Sequence, residues 1–245
     1  MTMISAVILA HNDEKIISRA IQSVSWCDEI VVIDDESEDQ TQEVAKKLGA
    51  VVYSHPLNNN FAAQRNFGVS KSKGEWMLFL DSDEEVSAVL GKEIRQGITN
   101  ETTNGFLLKR QDWLFGKQLH YGETANVQLL RLARKGKGEW KRSVHEVWDI
   151  PGNISPLSSP LFHYPHPTLR EFIDDINRYS TLHAIALKKE GKRSNLFEII
   201  AYPVGKFLQN YVLRQGFRDG TPGAILAIMM SFHSFLAKGK LYLAH

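Results

Sequence analysis

Only one cysteine, Cys27, occurs in 245 residues, so no disulfide can form within the chain and a reducing compartment fits. The N-terminus has no basic stretch followed by a cleavable apolar segment; residues 3–10 read as a first strand, and no signal peptide is expected. No apolar run reaches the ~20 residues that a membrane-spanning helix needs. No Gly-x-Gly-x-x-Gly follows the first strand and no P-loop motif appears, which excludes the common glycine-built nucleotide cradles. Charge of either sign is scarce in sum, at +1 overall, and argues neither for nor against nucleic acid. It is unevenly spread, however. Residues 165–245 carry 11 Lys/Arg and 6 Asp/Glu, a net of +5, and the part before them is net −4 (18 minus 22). A basic tail behind a neutral-to-acidic domain points to an anionic surface or substrate.

What is present is a set of short apolar runs that end in acids. Residues 76–80, Trp-Met-Leu-Phe-Leu, read as a buried strand running into Asp81-Ser82-Asp83. Open parallel sheets bind ligands outside the carboxyl ends of their strands. Two hard oxygen donors there suit Mg²⁺ or Mn²⁺, ions that keep waters and take further ligands from substrate phosphates; an acidic turn or helix cap without metal is the other reading. Upstream, residues 4–10 form a branched apolar strand ending at His11-Asn12-Asp13-Glu14, and Ile16, Ile17, Ala20, Ile21 and Val24 follow at helical spacing. A strand over 29–33 ends at Asp34-Asp35, a helix over 41–48 stops at Gly49, and 50–53 is a third strand. Residues 58–60 form a loop or cap, and 61–70 a helix leading to the strand at 76. This β-α-β-α-β-α-β order predicts a parallel sheet between helices, with all the acidic strand ends on one edge. Asp and Ser also favour turns and caps, the plainer explanation for each tip taken alone.

Four motifs, in order, carry a family resemblance: Ala10-His11-Asn12-Asp13-Glu14, then residues 31–41 (Val-Val-Ile-Asp-Asp-Glu-Ser-Glu-Asp-Gln-Thr), then Ala63-Gln64-Arg65-Asn66-Phe67-Gly68, then Leu80-Asp81-Ser82-Asp83-Glu84. Together they resemble glycosyltransferase family 2, over the first hundred or so residues, and within it the bacterial lipopolysaccharide-core β-glucosyltransferase-like subgroup. The resemblance implies an α/β chain of the GT-A fold, a mostly parallel sheet between helices, with a C-terminal helical appendage. It implies inverting transfer of a hexose from a nucleotide-diphosphate sugar, with a divalent metal, Mg²⁺ or Mn²⁺, on the diphosphate. Ala10, His11, Asn12, Glu14, Asp34, Asp35, Arg65, Asp81 and Ser82 are then expected to hold the UDP-sugar. Asp34 or Asp35 can take the uracil N–H, and Arg65 can face base or phosphate as a planar cation, or form a surface salt bridge. Asp83 is expected on the metal, Asp81 on the ribose or a metal-bound water, and His163 as a third ligand or a buried hydrogen-bonded histidine.

Residues 105–110 and 127–132 read as strands that extend the sheet antiparallel. Residues 111–117 read as an aromatic loop that packs or stacks on sugars, and 135–138 as a basic turn. An inverting transferase needs a carboxylate to take the acceptor proton. Glu146 is the expected base, with His145 beside it on acceptor or diphosphate; an exposed loop pair is the plainer reading, and Glu123 is the second candidate for the base. Thr168 can cap a helix from Leu169, residues 196–213 form a second helical stretch interrupted at Pro203, and 224–237 a third. The expected domains are 1–164, with a donor half over 1–100 and an acceptor half over 101–164, and a helical region over 165–245. That last region either lies in a membrane interface, where basic residues meet anionic headgroups, or mediates homo-oligomers. The reading is of a cytoplasmic enzyme peripheral on the inner membrane, acting on a glycolipid or other lipid-linked acceptor, with no nucleic-acid partner. Polyprenyl phosphate as acceptor, or a non-catalytic sugar-nucleotide-binding protein, are the alternatives.

Overall fold

The structure, a computed structural model, describes residues 2–143, 146–166 and 168–244. It divides into two compact units: Met1–Arg110 with Gln128–His163, and Gln111–Val127 with Tyr164–His245. The sequence reading set 101–164, as an acceptor half, in one domain with the donor half over 1–100; Gln111–Val127 cluster with Tyr164–His245.

The first unit opens with β1 (Ile4–Ala10), α1 (Ile17–Ser23), β2 (Glu29–Asp34), α2 (Thr41–Lys47), β3 (Val51–Ser54), α3 (Phe61–Lys71) and β4 (Trp76–Asp81). All four strands are parallel, in spatial order β3-β2-β1-β4. Side chains alternate between two cores, as the period of two in a strand requires. Ile4, Ala6 and Ile8 of β1 with Trp76, Leu78 and Leu80 of β4 meet Ile17, Ala20 and Ile21 of α1. Val7 and Leu9 with Met77 and Phe79 face the opposite core, with Ala62 and Phe67 of α3. The sheet is therefore covered on both faces, which is why its strands read as unbroken apolar runs. Gly68 lets α3 approach closely: a Cβ there would stand 2.6 Å from Cγ1 of the fully buried Val7.

The chain continues through β5 (Glu84–Val86), α4 (Ala88–Gly97), β6 (Thr103–Leu114), β7 (Lys117–Gln118), β8 (Gln128–Arg134), β9 (Glu139–Lys141), β10 (Val147–Asp149) and β11 (Asn153–His163). β8 joins β4 and β6 antiparallel, as expected of 105–110 and 127–132, and β11 and β5 complete that edge. β9 and β10, which were not read from the sequence, pair antiparallel as a separate two-stranded sheet, stacking Trp140 on Trp148 at 5.0 Å. The region read as an aromatic loop is a hairpin. β6 runs on to Leu114 and turns at Phe115 and Gly116, both at positive φ, a conformation that suits a two-residue turn before β7.

In the second unit, α5 (Leu169–Lys189) is capped by Thr168, whose Oγ1 accepts the Glu171 N–H at 3.2 Å. α6 (Leu196–Phe207) contains Pro203 without breaking there and continues as π-helical turns over Leu208–Leu213. α7 (Thr221–Leu243) packs on both α5 and α6. Its 23 residues exceed the expected 224–237 and make it, by length and composition, long enough to cross a membrane. The helix runs on through Lys238 and Lys240, good helix formers whose ammonium groups reach Glu198 and the Asn177 and Ser180 oxygens.

Candidate active site

Strand register brings the tips together. Ala10 lies opposite Asp34 across β1–β2, and Leu9 opposite Asp81 across β1–β4. Just beyond β1, burial pushes the Asp13 carboxyl up despite the neighbouring Ser82 hydroxyl. The three acidic or polar tips thus share one sheet edge, as the β-α alternation requires.

Between β1 and β2 the polar side chains mostly shape loops. The Asn12 Oδ1 accepts the Glu38 N–H at 2.8 Å, the Glu14 carboxylate accepts the Gln40 N–H at 3.1 Å, and the His11 Nδ1 sits 2.6 Å from the Asp35 carbonyl. Asp34 is fully buried, and its Oδ2 accepts from Ser37 N at 3.0 Å and Gln42 Nε2 at 2.7 Å. Its Oδ1 has no partner among the described residues. Asp35 accepts the Leu57 N–H through Oδ1 at 2.6 Å, and its side chain is 20% exposed. Of the two aspartates, Asp35 is the one a ligand can reach.

At the β4 tip the charges are locked. Arg65 of α3, 2% exposed, donates from Nη2 to Asp81 Oδ1 at 2.8 Å and from Nε to Glu146 Oε1 at 3.0 Å. Its guanidinium lies over the Trp140 ring at 4.9 Å and near Phe79 at 5.7 Å. Arg65 was expected against base or phosphate, or in a surface salt bridge; its fork is turned onto two carboxylates, in a buried ion pair and not a surface one. Arg131 of β8 binds the other Asp81 oxygen at 2.6 Å and stands 3.7 Å from Glu84, which is fully buried and accepts the Asp81 N–H at 2.9 Å. Burial opposes ionisation of Asp81, but Arg131 and Arg65 outweigh it and hold the carboxyl well below the usual range. Burial pushes Glu84 up in spite of Arg131. Neither Arg131 nor the role of Glu84 was read from the sequence. The signal was there in Arg131, a cation set between Leu130 and Leu132 in the middle of the strand.

Asp83 is placed differently. Its Oδ2 lies 3.2 Å from Nε2 of His163, at the end of β11. Burial raises the Asp83 carboxyl, and His163 more than reverses this. The expected trio of metal ligands is therefore a pair. Asp81 is taken by two guanidiniums, and among the described residues no group of three or more His, Cys, Asp or Glu stands ready for an ion. One carboxylate with one imidazole still fits an ion that draws its remaining ligands from water and a diphosphate. Glu146 lies beside Asp81 through their shared Arg65, with its side chain 17% exposed. His145 lies outside the described residues. Glu123, the second candidate base, belongs to the other unit, where Lys206 Nζ at 2.6 Å and Asn210 Nδ2 at 3.0 Å occupy both its oxygens.

Comparison with known proteins agrees with this geometry. Residues 5–110 match the family model described as glycosyl transferase family 2. A lipopolysaccharide core biosynthesis glycosyltransferase of Rhizobium meliloti, LpsC, is 29% identical over 99% of this chain and 93% of its own length. An uncharacterised glycosyltransferase of Rickettsia typhi is 29% identical over 98% and 87%. Among solved structures, that of S. aureus TarS aligns with a TM-score of 0.51 at 18% identity, covering 89% of this chain and 46% of that one, a likeness of fold. In its ordered motifs and its GT-A sheet, the segment 5–110 is similar to glycosyl transferase family 2, and nearly the whole chain is similar to these glycosyltransferases.

Proposed function

We propose that the chain transfers a hexose, glucose foremost, from a UDP-sugar to a lipid-linked glycan of the lipopolysaccharide-core kind, with inversion, at the cytoplasmic face of the inner membrane. The observation that carries this is the Asp83–His163 pair on the same sheet edge as the reachable Asp35. Asp35 offers Oδ2 to the base, and Ala10, His11, Asn12, Glu14 and Ser82 line or brace that edge. Asp83 and His163 would hold a divalent ion, Mg²⁺ or Mn²⁺, whose chemistry is to neutralise charge on the departing diphosphate. Asp81, pinned by two arginines, positions the turn that presents Asp83. Glu146 keeps Oε2 for the acceptor hydroxyl: its proton passes to that oxygen, the hydroxyl oxygen bonds the anomeric carbon, and the bond to the diphosphate breaks. The lipid-linked acceptor draws support from the likeness to the Rhizobium meliloti core transferase across nearly the whole chain.

The test is transfer from a panel of nucleotide sugars with Mg²⁺ or Mn²⁺. UDP-glucose should be the preferred donor. Glu146→Gln should lower kcat by roughly 10²–10⁴-fold with little change in donor binding, as loss of a general base does. Asp83→Ala should abolish both turnover and the metal-dependent thermal shift by UDP. Wild-type turnover in either variant would refute the assignment.

A further inference from the structure

In the second unit no element covers the outer face of α6 among the described residues. Phe197, Ile200, Val204 and Leu208 recur at spacings of three and four, and so lie on one side of the helix. Val212 and Leu213 carry that apolar surface into the π-helical turns. All six are exposed, Phe197 to 77% and Leu213 to 76%. The two charges within this stretch are both withdrawn from the surface: Glu198 pairs with Lys238 at 2.7 Å and Lys206 with Glu123 at 2.6 Å. The stripe is therefore apolar along its length and carries its charge at the two ends. Lys192, paired with Glu190 at 2.8 Å, and Arg193 precede it, and Arg214 and Arg218 follow it, all exposed. Over residues 191–218 there are five Lys/Arg and one Asp/Glu.

We infer that this face of α6 lies flat in the headgroup layer of a bilayer bearing anionic phospholipids, with the apolar side chains inserted and the basic ends on phosphates. An in-plane helix needs this combination of an apolar face, basic flanks and no free acid. α7 is then the strut behind it, packed on α5 and α6, and not a membrane span. A second copy of the chain fits the face less well. Paired antiparallel, the basic start of one stripe meets the basic end of the other; paired parallel, like ends meet. Either way like charges are opposed. The inference specifies how the enzyme reaches a membrane-held acceptor, but its test needs no sugar transfer.

The experiment is flotation of the full chain with vesicles of phosphatidylcholine alone and of phosphatidylcholine mixed with phosphatidylglycerol. The chain should float with the anionic vesicles only, and less so as salt rises. Phe197→Glu with Leu208→Glu should abolish recovery. Arg193→Ser with Arg214→Ser should weaken it about tenfold or more. Both pairs change exposed side chains, so melting temperatures should stay at the wild-type value. Wild-type chain that stays unbound, or equal recovery of the glutamate variant, would overturn the inference. So would a solution dimer that the same variant turns into a monomer while vesicle recovery is unaffected. Loss of sugar transfer with vesicle binding intact would count against the enzymatic reading alone.

Discussion

Arg65 lies over the Trp140 ring, with Phe79 beside it, and holds Asp81 and Glu146 through one guanidinium. A planar fork can serve two carboxylates while stacking on an indole, and an ammonium cannot. Arg65→Ala leaves Glu146 without its cation and Asp81 with Arg131 alone, and opens a void among aromatics. The expected loss is about 3 kcal/mol, since breaking a buried ion pair from one side is costly. That corresponds to roughly 6–12 °C in melting temperature for a chain of this size. Arg65→Lys should recover only part of it. Differential scanning calorimetry decides; a lysine variant as stable as wild type would show that the fork does not matter. Asp83 differs from Asp81 in kind: its neighbour is an imidazole on a strand end, and that leaves it the better placed of the two for an ion.

At the scale of elements, the sheet edge beyond β4 is tied by α4. The Glu93 carboxylate accepts from Ser158 N and Oγ at 2.8 Å each and from Ser159 N at 2.9 Å, joining α4 to β11, the strand that ends in His163. Burial opposes its charge, but these donors from Ser158 and Ser159 hold the carboxyl down at about 2. A carboxyl lowered in the folded state contributes stability that is complete above its unfolded value of about 4.3 and is lost as pH falls through the folded value. Wild type should therefore exceed Glu93→Gln in stability by a constant margin above about pH 5, and the margin should close as pH approaches 2. Urea titrations across that range measure it. A margin that stayed unchanged down to pH 2 would mean that the charge plays no part in the tie.

At the scale of the molecule, the interactions assigned to donor chemistry and to membrane docking lie in different units. The Arg65, Asp81, Asp83, Arg131, Glu146 and His163 contacts are within the first, and the α6 face with its Glu198–Lys238 and Glu123–Lys206 pairs is within the second. Sites with no shared partners behave additively. Phe197→Glu should thus leave the thermal shift by UDP and metal as in wild type, and Asp83→Ala should leave vesicle recovery as in wild type. Loss of both properties in either variant would show that the two sites are coupled.

Much of the first unit could be read from local pattern. Apolar runs of five to seven residues alternating with helical spacing specify parallel strands, parallel strands share a carboxyl edge, and the acids after β1, β2 and β4 had to meet there. The sequence alone also marks Asp83 and His163 as candidates, although 80 residues separate them. It does not show which acids are already engaged. Arg131 comes from β8, 50 residues after Asp81, and Glu146 reaches Arg65 across 81. A charge's partner is set by which strands become neighbours, and strand neighbours are chosen by packing across the whole sheet. The same cause moved Gln111–Val127 into the company of the C-terminal helices: composition marks a segment as strand or loop, whereas its core is decided by the apolar faces it meets in three dimensions.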